Sequence, residues 1–157
     1  MDPHALGFLV NDISRLMRCS MERRLEHTCL TLAQSRALVH IARNQGLRQV
    51  DLAEQLEIQP ITLARLIDHL VEAGLVERRD DPVDRRAFHI YLTPAATPQL
   101  AILEKIGEAV RRETVGSIEE QQVYAVMSVL HQMRNNLSAK REEMQQEYRS
   151  MNVAMLI

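Results

Sequence analysis

Between Gln59 and Leu92 the chain changes its pattern three times, from helical apolar spacing to a glycine and then to two strand-like runs. At helical periodicity Leu63, Leu66, Ile67 and Leu70 fall on one side, while Ile61, Thr62, Arg65, Asp68, His69 and Glu72 fall on the other. A helix over residues 59–73 therefore has one face for a core and one for a partner. The outer face is itself divided, with Gln59, Pro60, Ile61, Thr62 and Arg65 at its start and the carboxylates Asp68 and Glu72 further along. Only the first half can approach a row of phosphates. A helix-turn-helix recognition helix docks in this way, N-terminal end into the major groove. Gly74 stops the helix, and a hairpin over 75–92 follows. Its polar loop, 80–86, ends in Arg85 and Arg86, whose long cationic side chains suit an adjacent minor groove.

The residues Leu63, Ala64, Arg65, Leu66, Ile67, Asp68 and Leu70, then Gly74, Leu75, Val76 and Arg78, then Asp84, Arg85, Arg86, Leu92 and Thr93, resemble the winged helix-turn-helix of the MarR family of bacterial regulators. The pattern is most similar to the SlyA branch. There the helix after the wing also opens on Leu-Thr, followed by an alanine and a proline where glycine is more usual, as Ala96 and Pro98 do here. The resemblance follows helix order over nearly the whole chain and fades after about Leu137. It implies a mostly α (α+β) fold, a winged helix-turn-helix with a two-stranded wing plus N- and C-terminal helices forming a dimerisation region. Residues 1–30 would be the N-terminal dimerisation helix, 31–93 the DNA-binding domain and 94–157 the C-terminal dimerisation helices. The implied function is a homodimeric, sequence-specific DNA-binding transcription regulator, a repressor released by a small aromatic carboxylate.

Composition agrees with such a fold without pointing to it. A chain of 157 residues suits a single domain and buries roughly 70% of its unfolded surface. Five glycines and 3% aromatics favour helices over a sandwich or barrel. The net charge of −2 means that any DNA contact must come from local geometry. The opening apolar run, 5–10, is stopped by Asn11 and Asp12 before it could serve as a signal or membrane segment, so a soluble, cytoplasmic protein is expected.

The first helix is expected to start on Asp2 as N-cap and Pro3, and to carry Leu6, Leu9, Val10, Ile13, Leu16, Met17, Met21 and Leu25 on a face broader than one partner helix needs. A second subunit would use the surplus. Thr31 and Gln34 form a capping-box pattern that opens the next helix. Ser35 and Arg36 lie in its first turn, where backbone amides and a cation can hold a phosphate; a merely solvated turn fits as well. Residues 49–56 read as the first helix of the helix-turn-helix, with Leu52, Ala53 and Leu56 inward. Glu57 follows where the family commonly has glycine, so a tighter or differently shaped turn is expected.

Within the recognition helix, Arg65 suits a guanine edge or a phosphate, Thr62 a base edge and Ile61 a thymine methyl, although an outer isoleucine is as often surface scatter. In the second wing strand Phe88, Ile90 and Leu92 should face the core, and Asp81 and Asp84 can hold Arg85 or Arg86 by charge pairing, with a solvated loop whose charges cancel as the alternative. Thr93 and Pro94 suit the start of the next helix, with a break near Pro98 and an end at Gly116. Ser117 and Glu120 read as a capping box for a last helix striped by Ile118, Val126, Met127, Leu130, Met133 and Leu137, and the chain closes on an apolar stretch, 153–157.

No glycine-rich phosphate loop, nucleophile elbow or metal-spaced histidine pair is present, so neither an enzyme nor a cofactor or metal site is expected. Arg15 and Arg18 lie on one face of the first helix, where either can pair with an effector carboxylate; intersubunit salt bridges or water contacts are the equal alternative. Cys19 sits among apolar neighbours and reads first as a small buried hydrophobe, with a thiol switch as the alternative, since some members of the family sense oxidants through a cysteine in this helix. A winged-helix protein-interaction module that does not read DNA is the alternative from another class.

Overall fold

The computed structural model describes residues 5–81, 84 and 87–154, with side chains except for 142 and 145–154. It falls into two compact units, Met1–Thr114 and Val115–Ile157.

The first unit begins with α1 (Leu6–Leu25); the expected cap at Asp2 and Pro3 lies outside the described residues. Thr31 opens α2 (Leu32–Arg43) with the full capping box: its hydroxyl accepts from the Gln34 amide at 3.2 Å, and the Gln34 side chain accepts from the Thr31 amide at 2.8 Å. A two-residue strand β1 (Leu47–Arg48) leads directly into α3 (Gln49–Leu56). The turn beyond α3 does not avoid the left-handed conformation, as sequence reasoning expected. Glu57 adopts it, at φ 57° and ψ 40°. The Ile58 amide reaches back to the Ala53 carbonyl at 3.1 Å, closing the helix end over the buried Leu52, Ala53 and Leu56. That closure offsets a backbone cost of about 1–2 kcal/mol.

Helix α4 (Pro60–Glu72) follows with Pro60 in its first turn, where a missing amide costs nothing. Its Leu63, Ile67 and Leu70 are fully buried and Leu66 nearly so, joining Leu38 and Ile41 of α2 and Leu52 of α3 in one core. Gly74, at φ 69°, turns the chain into β2 (Val76–Asp80), which pairs antiparallel with β3 (Phe88–Leu92) from Val76–Leu92 to Asp80–Phe88. The two-stranded wing, β2 and β3, is joined in its sheet by a third strand. Leu47 and Arg48 pair with Ile90 and His89, giving a three-stranded sheet in the order β1–β3–β2. Ile90 is the buried residue of β3, whereas Phe88, on the last rung of the ladder opposite Asp80, stays 37% exposed instead of joining the core.

Thr93 and Pro94 open a short 3-10 turn (Pro94–Ala96), and the chain restarts as α5 (Thr97–Val115) one residue before Pro98. Helix α5 buries Leu103 and Val110 and is tied to α1 by a polar clamp. The hydroxyl of buried Ser20 donates to Glu113 Oε2 at 2.6 Å, while Arg24 donates to the same hydroxyl at 2.6 Å and pairs with Glu113 at 2.9 Å.

The second unit holds Gly116, at φ 54°, and the long helix α6 (Glu120–Ala154). Ser117 does not cap it. It lies in the turn before the helix, and the carbonyl of Glu119 accepts the first helical bond, from Val123. Ile118 and, along α6, Val126, Met127, Leu130 and Leu137 are exposed on this unit, with Met133 half-buried. Of the apolar end, the side chains of Val153 and Ala154 and all of 155–157 lie outside the described residues. Among the described residues no helix is long and apolar enough to cross a membrane.

Candidate nucleic-acid interface

Helices α3 and α4, joined through Glu57, Ile58 and Gln59, present the outer face of α4 to solvent. Gln59, Pro60, Ile61, Thr62 and Arg65 are all exposed, Ile61 to 66%. The Gln59 side chain makes no capping bond, and among the described residues Arg65 has no ion pair or hydrogen-bond partner. A patch of free amide, methyl, hydroxyl and guanidinium groups results, of the kind that reads base edges.

The carboxylate half of the same face is engaged. Arg78 of β2 pairs with Asp68 Oδ1 at 2.7 Å, donates to the Ala64 carbonyl at 3.2 Å and reaches Gln49 of α3 at 3.1 Å. One guanidinium therefore spans both helices of the helix-turn-helix and the wing. In the sequence Arg78 belongs to the winged helix-turn-helix pattern but has no evident role of its own. The available signal was its parity in the hairpin, since it lies two residues from buried Val76 and opposite buried Ile90, and a cation on the core face of a strand needs partners.

Near the loop end of the wing, His89 Nδ1 lies 2.7 Å from the Gly46 carbonyl and Nε2 lies 2.8 Å from Asp81 Oδ2. The Gly46 carbonyl above all, and the Asp81 carboxylate after it, raise the His89 pKa above the ordinary histidine value, against desolvation and Arg48. Asp81 Oδ1 also accepts the Asp84 amide at 3.0 Å, and Asp84 stands 3.8 Å from Arg48. Arg85 and Arg86 lie outside the described residues, and with them the pairing expected for the two aspartates. Arg48, exposed at the start of α3, is a further cation on this side of the molecule that sequence reasoning passed over.

Two expected phosphate contacts separate. Arg36 is exposed, but Ser35 is 1% exposed; its hydroxyl donates to the Thr31 carbonyl at 2.9 Å and its amide to the same carbonyl. A serine satisfied by its own helix can be buried, so Ser35 offers no donor to a ligand. On α1, Arg15 pairs with Asp12, and Arg18 donates to the Ser14 hydroxyl at 2.7 Å. Cys19, expected to be buried, is exposed, as is Cys29. Among the described residues no cluster of three or more His, Cys, Asp or Glu could hold a metal ion.

Residues 30–88, which run from just before α2 into β3, match the MarR family. The transcriptional regulator HosA of Escherichia coli O111:H- is 31% identical over 106 residues, 68% of this chain and 78% of that protein. A MarR transcriptional regulator from Methanosarcina mazei Go1 shares the fold with a TM-score of 0.77 at 25% identity, covering 85% of this chain and 96% of that one. The transcriptional regulator PA3341 does so with a TM-score of 0.74 at 37% identity, covering 85% and 98%. The chain belongs to the MarR family of winged-helix, DNA-binding transcription regulators.

Proposed function

We propose that the protein is a homodimeric cytoplasmic repressor that reads a pseudopalindromic operator and is released by a small aromatic carboxylate. The observation that carries the reading is the division of α4: Gln59, Ile61, Thr62 and Arg65 stand free at its start while Arg78 occupies Asp68 behind them. Gln59, Pro60, Ile61, Thr62 and Arg65 enter the major groove, Arg36 holds a phosphate, and Arg85 and Arg86 reach the minor groove. The dimer is supported by α1, whose Leu6, Leu9, Val10, Ile13, Leu16 and Met17 are all exposed in the single chain. An apolar face of that extent is the mark of a covered surface. On this reading residues 1–30 and 94–157 supply the dimer contacts and 31–93 the DNA contacts, with half-sites about 34 Å apart.

For the effector, Arg18 is a better carboxylate partner than Arg15. Its only partner among the described residues is the neutral Ser14 hydroxyl, whereas Arg15 already holds Asp12. A ligand that binds more tightly to a dimer with wrongly spaced recognition helices releases DNA by that difference in affinity.

The test is selection of bound duplexes from a random pool at two salt concentrations, with light scattering for the mass in solution. Recovery of a twofold-symmetric motif by a dimer supports the reading; recovery of nothing specific favours a protein-interaction module. The exposure of Cys19 favours one second reading, a thiol-based switch. Unchanged oxidant response in Cys19→Ser removes it.

A further inference from the structure

We propose that His89 is a proton-dependent positioning residue of the wing: as an imidazolium it ties β3 at once to the segment entering the helix-turn-helix and to the wing loop, and operator affinity falls as that proton leaves.

Both ring nitrogens of His89 face acceptors. Nδ1 is 2.7 Å from a backbone carbonyl, that of Gly46, and Nε2 is 2.8 Å from a carboxylate oxygen of Asp81. Carbonyls and carboxylates only accept. A neutral imidazole carries one N–H, so either tautomer would turn a lone pair toward an acceptor at hydrogen-bond distance. Only the doubly protonated ring satisfies both.

Neither partner is a loose end. Gly46 sits at φ 77°, its amide donates to the Ile90 carbonyl at 3.0 Å, and a Cβ there would lie 2.7 Å from the Tyr91 hydroxyl. Its peptide is held from several sides. Asp81 has a side chain only 15% exposed, and its second oxygen accepts the Asp84 amide. His89 thus anchors the residue that shapes the start of the loop, and in sequence that loop goes on to Arg85 and Arg86.

The other charges around the ring have their own partners. Arg48 on β1 and Arg79 on β2 are its cross-strand neighbours, and both oppose a third positive charge. Arg79, however, is held by Glu77 at 2.6 Å and lies over the Tyr91 ring, 4.1 Å from its centroid. Arg48 faces Asp84 at 3.8 Å. Asp81 is the carboxylate that faces the imidazolium at hydrogen-bond distance. When the proton leaves, one of the two bonds is lost and the repelled acceptor, the Gly46 carbonyl or the Asp81 carboxylate with the Asp84 amide it holds, moves.

This inference rests on the reading of the wing as a DNA contact, and the test separates the two. Long-range proton–nitrogen NMR of the full-length protein reports the protonation of each His89 nitrogen directly. In parallel, affinity for a duplex selected by the protein is measured from pH 5.5 to 9 at fixed ionic strength, for wild type, His89→Gln and Asp81→Asn. The expected result is a ring with both nitrogens protonated at pH 6.5. Affinity should be lost by roughly two- to tenfold, the weight of one hydrogen bond, as the ring titrates, and both variants should be weak and flat across that range. A neutral ring at pH 6 overturns the inference, and so does a wild-type pH slope that survives in His89→Gln. Absence of specific duplex binding at every pH overturns the operator reading and the inference together.

Discussion

Arg78 Nη1 stands 2.7 Å from Asp68 Oδ1, so the first strand of the wing grips the recognition helix in the middle of its outer face. The Arg78 side chain is 25% exposed and that of Asp68 54%, and solvent screens the ion pair accordingly. The bonds from the same guanidinium to the Ala64 carbonyl and to Gln49 carry more of the weight. Arg78→Met should lower stability by about 1–3 kcal/mol, and Asp68→Asn by well under half of that. Denaturant titration of the two variants checks the order. Duplex affinity should fall in Arg78→Met even where the protein remains folded, because the angle between wing and helix is no longer set.

Arg65 and Arg36 are both exposed, but they serve different purposes on the proposed interface. Arg65→Ala should cost about 1–3 kcal/mol of specific binding and relax base preference at one position of each half-site. Arg36→Ala should weaken all sequences alike and reduce the salt slope by about one unit per protomer. Fluorescence anisotropy on the selected duplex and a scrambled one, across a salt series, distinguishes them. Equal losses with no change of slope for either variant would remove both assignments.

Where one element speaks for itself, the sequence was enough. Leu63, Leu66, Ile67 and Leu70 share a helical face, Thr31 and Gln34 sit at capping-box spacing, and Gly74 follows the last periodic residue; each is a local signal, and each is where it was expected. What escaped depends on neighbours distant in sequence. Strand β1 is two residues long, too short for any periodicity, and exists because β3 offers Ile90 and His89 as partners. Ser35 looks like a surface serine of a first turn until its hydroxyl is satisfied by Thr31 and the residue can be buried. The bonds of His89 to Gly46 and of Arg78 to Gln49 cross 43 and 29 residues of sequence, and neither side chain type announces such a partner.

Glu57 keeps a left-handed backbone that glycine adopts at no steric cost. Glu57→Gly removes that strain but also gives the unfolded chain more freedom, so the net gain should be about 0.5 kcal/mol, a rise of roughly 1–2 °C in melting temperature. Calorimetry is the check. A fall in melting temperature would mean that the glutamate side chain contributes a contact outweighing its backbone cost.

Glu113 links α5 to α1 through the Ser20 hydroxyl and Arg24, and these partners, the Ser20 hydrogen bond foremost, lower its pKa below the ordinary glutamate value. The sign of the pH effect follows. A carboxylate whose pKa is lower folded than unfolded contributes its stabilisation in full above the unfolded value, about 4.3, and loses it as pH falls through the folded value. Glu113→Gln should therefore be less stable than wild type at pH 6, with the gap closing as pH drops below about 4. Ser20→Ala removes the largest cause of the shift and should flatten the same limb of the profile. Urea denaturation of the three proteins between pH 3 and 6.5 measures this, and a gap that stays constant over that range would show that the charge on Glu113 contributes nothing to holding α5 on α1.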